Sequence, residues 1–207
     1  MMEKYNINQT TLKILGLYRS DYAKSLHLRE IARAIEIDVT AVRLQLERLE
    51  GMNVLVSTFK GRNKEYRPNL GNQITRYYMI LSETLASIIY LSENFEIKKV
   101  VGEIGDSVDG PIILFGSFAK GQATPESDID LLVLANKEPP PNAFSEAGEA
   151  IGREISIRRM SKSQFLRGLQ DGDPLAREIV SDHVVLRGFD DFCDVMWRYY
   201  AKRAGIS

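Results

Sequence analysis

Two aspartates one residue apart, Asp128 and Asp130, open the apolar run Ile129 to Leu134, and the pair Gly116-Ser117 closes the preceding apolar run Pro111 to Phe115. In a strand, alternate side chains share a face, so both carboxylates point the same way while Ile129 points into a core. Two carboxylates side by side repel and raise each other's pKa unless a cation lies between them. Magnesium resolves that conflict, because it takes oxygen ligands from one or two carboxylates together with substrate phosphates. Gly116 lets backbone approach a phosphate closely, and Ser117 can donate to it through hydroxyl and amide. Lys120, a turn later, can balance phosphate charge. Each half alone is ordinary, an Asp-x-Asp being commonly a solvated strand end and a Gly-Ser a turn. Joined between two apolar strands, they describe a metal–nucleotide site.

The elements that must position these residues alternate, as in an α/β unit. Strands are expected at 111–115, 129–134 and 154–157, with an edge strand at 184–186. Helices are expected near 144–152, from Ser161 to a cap at Gly172, and from Phe189 to Ala204. A long helical pattern runs from Gln73 to Glu93 through Ile74, Tyr77, Tyr78, Leu81, Leu85, Ile88 and Ile89. Its apolar stripe is wide enough for one face to meet its own domain and another a sister chain, or for both to be buried in one protomer.

The stretch Leu114-Phe-Gly-Ser-Phe-Ala-Lys-Gly-Gln-Ala-Thr-Pro-Glu-Ser-Asp-Ile-Asp-Leu resembles the active-site motif of the DNA polymerase beta nucleotidyltransferase superfamily, in particular its small prokaryotic branch. Gly116, Ser117, Ala119, Lys120, Gly121, Ser127, Asp128, Asp130 and Leu131 occupy the motif's places, and a weaker match continues to about Gly188. The resemblance implies an α+β core with a mixed sheet. It implies nucleotide contacts from Gly116, Ser117, Lys120 and Ser127, and catalytic metal ligands in Asp128, Asp130 and a third carboxylate on a later strand. Glu154 is the best match for the third; its other reading is an exposed edge glutamate paired with Arg153 or Arg158. The implied reaction is transfer of a nucleoside monophosphate from an NTP, ATP foremost, to a hydroxyl on a protein, an RNA end or a small molecule, with two Mg²⁺ ions. Small relatives acting as antitoxins make a partner toxin a possible acceptor.

The front half has another parts list. Short helices fit the stretches after Thr10 and Thr11, from Leu28 to Ile35, and after Asp38, a good N-cap. A strand at 54–59, a hairpin turn at 60–64 and a returning strand at 65–67 ended by Pro68 follow. This order resembles a prokaryotic winged helix-turn-helix. The implied reading helix, Thr40 to Leu49, would present Thr40, Arg43 and Gln45 to the major groove, while Lys60, Arg62 and Lys64 on the wing meet phosphates. The turn carries Glu36 where such domains usually have glycine, whereas Asn53 suits a left-handed position. Winged helices also bind proteins or dimerise, so a regulator whose back domain only senses nucleotide is the alternative to an enzyme.

Taken together, residues 1–70 are expected to form the winged helix, 71–94 a linker or dimerisation helix, and 95–207 the nucleotidyltransferase domain. Of the remaining reactive types, His183 reads as a surface or edge residue, His27 as a surface or capping one, and Cys193 as a buried inert thiol. One cysteine and two histidines exclude an internal disulfide and a Cys/His zinc cluster. The net charge of −1 divides: basic residues lead by three up to Asn94 and trail by four from Phe95 onward. The front half is thus the better match for a polyanion and the back half for cations. No apolar stretch approaches the ~20 residues that span a bilayer, and no signal-peptide pattern opens the chain. A cytoplasmic protein is expected.

Overall fold

The computed structural model describes residues 7–104, 108–138 and 140–206. The chain divides into two compact units, one comprising residues up to Ser82 together with those from Met196 on, the other Glu83–Val195. The division therefore passes within the long helix, and the end of the chain belongs to the front unit. Among the described residues no helix is long and apolar enough to cross a membrane.

The front unit begins with helix α1 (Gln9–Gly16), whose N-cap is Asn8 rather than either threonine; its side chain accepts from the Thr11 amide at 2.9 Å. Helix α2 (Leu28–Ile35) starts at His27, whose Nδ1 accepts from the Glu30 amide while Glu30 accepts from the His27 amide, a reciprocal capping box. Asp38 caps helix α3 (Val39–Gly51) by accepting from Thr40 and Ala41 amides, which hold its carboxyl below the usual range. Strands β2 (Leu55–Lys60) and β3 (Asn63–Pro68) form a hairpin closed by Gly61 and Arg62, with Gly61 at positive φ, as two-residue hairpin turns require. A two-residue strand β1 (Leu26–His27) adds to β3, giving the antiparallel order β1-β3-β2. Ile14, Leu15, Ile31, Val42, Leu46 and Leu49 form the buried faces of the three helices. Tyr22 from this unit stacks on Tyr200 at 5.2 Å between ring centroids, and the Tyr200 hydroxyl donates to the Ser20 carbonyl.

Glu36 answers the missing glycine directly. It ends α2 in the left-handed conformation at φ 56°, and Asn53 adopts the same region after α3 at φ 59°. A side chain in that region costs roughly 1–2 kcal/mol. We expect Glu36→Gly to raise the thermal midpoint, by a net gain of about 1 kcal/mol or less once glycine's extra unfolded entropy is deducted. A thermal melt of the full chain checks this, and a lowered midpoint would show that the Glu36 side chain contributes more than its strain costs.

The long helix α4 (Gln73–Glu93) and helix α5 (Phe95–Ile104) precede the sheet of the second unit. That sheet contains β4 (Ile112–Phe115), β5 (Ile129–Leu134), β6 (Ile155–Met160) and β7 (Val184–Arg187) in the order β6-β5-β4-β7. Strand β4 runs antiparallel to β5 and β7, and β6 runs parallel to β5, so the sheet is mixed and the architecture α+β. Between the strands lie α6 (Gly116–Ala119), α7 (Pro141–Ile151), α8 (Lys162–Asp171) and α9 (Pro174–Ser181), with α10 (Phe189–Arg203) last. Ile112, Leu114, Ile129, Leu131 and Val133 share a buried cluster with Ile97, Val100 and Ile104 of α5 and Phe144 and Ala147 of α7. The alternate positions Ile113, Leu132, Leu134 and Val185 are also buried, so the sheet is covered on both faces.

His183 departs from its expected surface role. It is buried, its Nε2 lies 3.2 Å from a Glu83 carboxylate oxygen, its Nδ1 lies 3.1 Å from the Val180 carbonyl, and its ring packs 4.9 Å from Phe192. A buried imidazole needs such partners, and one of them comes from a helix far away in sequence. Cys193 is buried, as expected.

Candidate functional site

The candidate site forms where β4 ends and β5 begins. The antiparallel register sets Phe115 opposite Asp130, so Gly116 turns out of the sheet beside that carboxylate. Gly116 has φ +71°, and a Cβ built on it would fall onto Oδ2 of Asp130 and lie 3.1 Å from its Cγ. The glycine is thus required twice, by backbone conformation and by the carboxylate seated against its Cα. Ser117, the second residue of the short helix α6, is half-buried, its carbonyl accepting from the Gln122 amide at 2.9 Å.

Asp130 lies within β5 and is partly buried, whereas Asp128 precedes the strand and is exposed. Burial raises the Asp130 carboxyl above the usual range; the Asp128 and Glu178 charges push it further the same way, and Arg158 and Lys120 offset part of the rise. A hard cation would relieve this repulsion, so the oxygen donors of the aspartate pair fit magnesium. Among the described residues no three His, Cys, Asp or Glu side chains are grouped so as to hold a metal ion by themselves. Phosphate oxygens would have to complete the ligand set.

Glu154 is exposed and precedes β6 by one residue, as Asp128 precedes β5; its carbonyl accepts from the Ile129 amide at 3.0 Å. The β6 residue in register with Asp130 is Ser156, a hydroxyl rather than a carboxylate. Lys120 caps α6 and forms an ion pair with Glu178 of α9 at 2.6 Å, which raises the ammonium pKa. Ser127 turns inward on its own loop, its Oγ accepting from the Thr124 amide at 2.9 Å. Arg153 pairs with Glu96 at 2.8 Å rather than with Glu154.

Two neighbours of the site have contacts that the sequence does not reveal. Glu178 sits on α9, a helix signalled by Asp173-Pro174 as cap and first position and by buried Ala176, Ile179 and Val180. Arg153 is legible in the sequence only as a possible partner of Glu154; its partners here, Glu96 and the carbonyls of Thr124, Pro125 and Ser127, lie well apart from it in sequence.

In the front unit, Thr40 and Arg43 are exposed on α3, and Lys60 and Arg62 are exposed on the hairpin. Gln45 is half-buried and accepts from the Thr11 hydroxyl at 3.3 Å. Lys64 is held by Glu50 at 2.7 Å and lies over the Tyr66 ring. Of the six positions expected to face DNA, four are therefore exposed, Thr40 while its side chain hydrogen-bonds Asp38, and Gln45 and Lys64 are held within the unit.

Residues 96–169 match the nucleotidyltransferase domain family, a span that contains Gly116, Ser117, Asp128, Asp130 and Glu154. No curated protein matches the chain. Among solved structures, a toxin–antitoxin with AMP-PNP is similar at a TM-score of 0.31 and 19% identity, over 53% of this chain and 90% of that one. Human N-acetylserotonin methyltransferase in complex with SAM is similar at 0.28 and 13%, over 74% of this chain and 62% of that one. Neither likeness is strong enough to establish a shared fold.

Proposed function

We propose that the second unit transfers a nucleoside monophosphate from an NTP, ATP foremost, to a hydroxyl acceptor. The observation that carries this is the Asp130 carboxylate seated against the bare Cα of Gly116, within the span that matches the nucleotidyltransferase domain family. A substrate hydroxyl oxygen bonds to the α-phosphorus, the bond to the pyrophosphate oxygen breaks in line, pyrophosphate departs, and the hydroxyl proton passes to solvent water. Gly116 and Ser117 bind the phosphates through backbone and hydroxyl, and Lys120 and Ser127 border them. Asp128 and Asp130 would hold Mg²⁺, two ions in this proposal, together with phosphate oxygens and with Glu154 as the proposed third carboxylate once nucleotide is bound; the metal would neutralise charge on the attacking and leaving oxygens. The protein's own contribution is to position these groups and to hold like charges together.

Incubating the full chain with α-labelled NTPs, Mg²⁺ and candidate protein, RNA and small-molecule acceptors tests this. Label transfer with pyrophosphate release is expected; tight nucleotide binding with no release across a broad acceptor set would overturn it. That second outcome is the regulator reading, favoured by Ser156 occupying the register position beside Asp130.

The front unit is proposed to be a winged helix that binds DNA through Thr40 and Arg43 of α3 and Lys60 and Arg62 of the hairpin. Exposed Tyr77, Leu81 and Ile88 along α4 support a homodimer, which size-exclusion chromatography with light scattering checks. Each phosphate contact contributes about 0.9 to the salt slope. The double substitution of Lys60 and Arg62 to alanine is therefore expected to weaken duplex binding equally for all sequences and to lower the slope of log affinity against log salt by about 2. Unchanged affinity and slope would remove the hairpin from the interface.

A further inference from the structure

We propose that Arg153 is a positioning residue of the nucleotidyl site, its guanidinium strapping the loop that carries Ser127 and Asp128 onto helix α6. This rests on the transfer reading above. Arg153 follows Gly152, which ends α7 in the left-handed conformation at φ 70°, and its amide donates to the Gly148 carbonyl at 3.1 Å. The side chain thereby leaves the chain just before β6 and is only 17% exposed. Its Nη1 donates to three carbonyls of the loop between α6 and β5, those of Thr124 at 3.2 Å, Pro125 at 2.7 Å and Ser127 at 3.2 Å. Its Nε donates to Glu96 of α5 at 2.8 Å, and its Cζ lies 5.3 Å from the centre of the Phe118 ring, on the helix that begins Gly116-Ser117.

One planar cation thus touches both halves of the motif and anchors them to α5. The loop's own bonds are few, the Thr124 amide to Ser127 Oγ and the Ser127 amide to the Thr124 carbonyl among them. Asp130 is fixed by ladder pairing on both sides, but Asp128 lies outside the strand and takes its position from the loop. Arg153 therefore acts mainly through Asp128. A lysine cannot reproduce the arrangement, because a single ammonium lacks the planar fork that serves Glu96 and three carbonyls together.

The test compares Arg153→Ala and Arg153→Lys with wild type as full chains. Amide hydrogen exchange of residues 122–128 is read without nucleotide, and label transfer is read against Mg²⁺ and ATP concentration. We expect both variants to speed exchange in that loop at least tenfold, with β4 and β5 unchanged. Transfer should fall 10- to 100-fold in kcat, with a higher Mg²⁺ midpoint and less than a threefold change in KM for ATP. Combining Arg153→Ala with Asp128→Asn should cost little beyond Asp128→Asn alone. Unchanged loop exchange in a folded variant would overturn the strap, as would full rescue by lysine. Where alanine unfolds the chain, lysine supplies the folded comparison. An inactive wild type would defeat the transfer reading, while the exchange data would still decide the role of Arg153.

Discussion

Replacing either aspartate by asparagine is expected to abolish nucleotidyl transfer while leaving the fold intact. Asparagine keeps the shape and removes the charge that would hold the cation. A bound metal ion contributes several kcal/mol of charge stabilisation, so the rate should fall by about three orders of magnitude in each case. Stability should move the other way at position 130. Burial and the neighbouring Asp128 and Glu178 charges hold its carboxyl above the usual range, so the folded state binds that proton more tightly than the unfolded chain. The ionised group therefore opposes folding at neutral pH, and the opposition fades as pH falls toward the raised value. Asp130→Asn should have a thermal midpoint equal to or above that of wild type at pH 7, with the difference shrinking in acid. Thermal melts at pH 7 and pH 5 beside an activity assay check both parts. A large drop in midpoint would mean that Asp130 supports the fold rather than the chemistry.

Gly116→Ala should do the reverse, damaging stability and site together. The left-handed backbone alone costs an alanine about 1–2 kcal/mol. The added methyl would also strike Oδ2 of Asp130, so one of the two must move. Transfer should fall about as far as in Asp130→Asn, because the displaced carboxylate no longer faces the phosphates. A double-mutant cycle separates the two costs. In an Asp130→Ala background the carboxylate is gone and the remaining Cβ lies 3.3 Å from the built methyl, a slight crowding, so the conformational part should dominate what persists. Chemical denaturation of the four proteins gives the coupling, and additive effects would show that Gly116 and Asp130 do not constrain each other.

Much of this was legible in the sequence wherever periodicity and local chemistry agree. Helix α2 from Leu28 to Ile35, helix α4 from Gln73 to Glu93 and strand β5 from Ile129 to Leu134 fall where apolar spacing puts them. The Ser161 cap and the Gly172 stop of α8 were equally plain, since both act within one turn. Gly116 and Asp130 could be linked by motif, though the reason for the glycine, a carboxylate from the neighbouring strand, emerges only from the ladder register. What the sequence hid was long-range pairing. Strand β1 is two residues long and needs β3 to exist; His183 is buried because Glu83 reaches it; Gln45 turns inward to Thr11; Lys120 is bound to Glu178. The strand depends on a backbone ladder and the other three on a polar side chain meeting a distant partner, neither of which spacing can reveal.

Asp128 and Asp130, beside Gly116-Ser117, are proposed to bind a magnesium–triphosphate complex. A crystal structure of the full chain grown with Mg²⁺ and a non-hydrolysable ATP analogue tests this most directly. The triphosphate is expected against the backbone of Gly116 and Ser117, with Mg²⁺ held by both aspartates. Nucleotide bound elsewhere, or at this turn with the two carboxylates facing away from its phosphates, would contradict it.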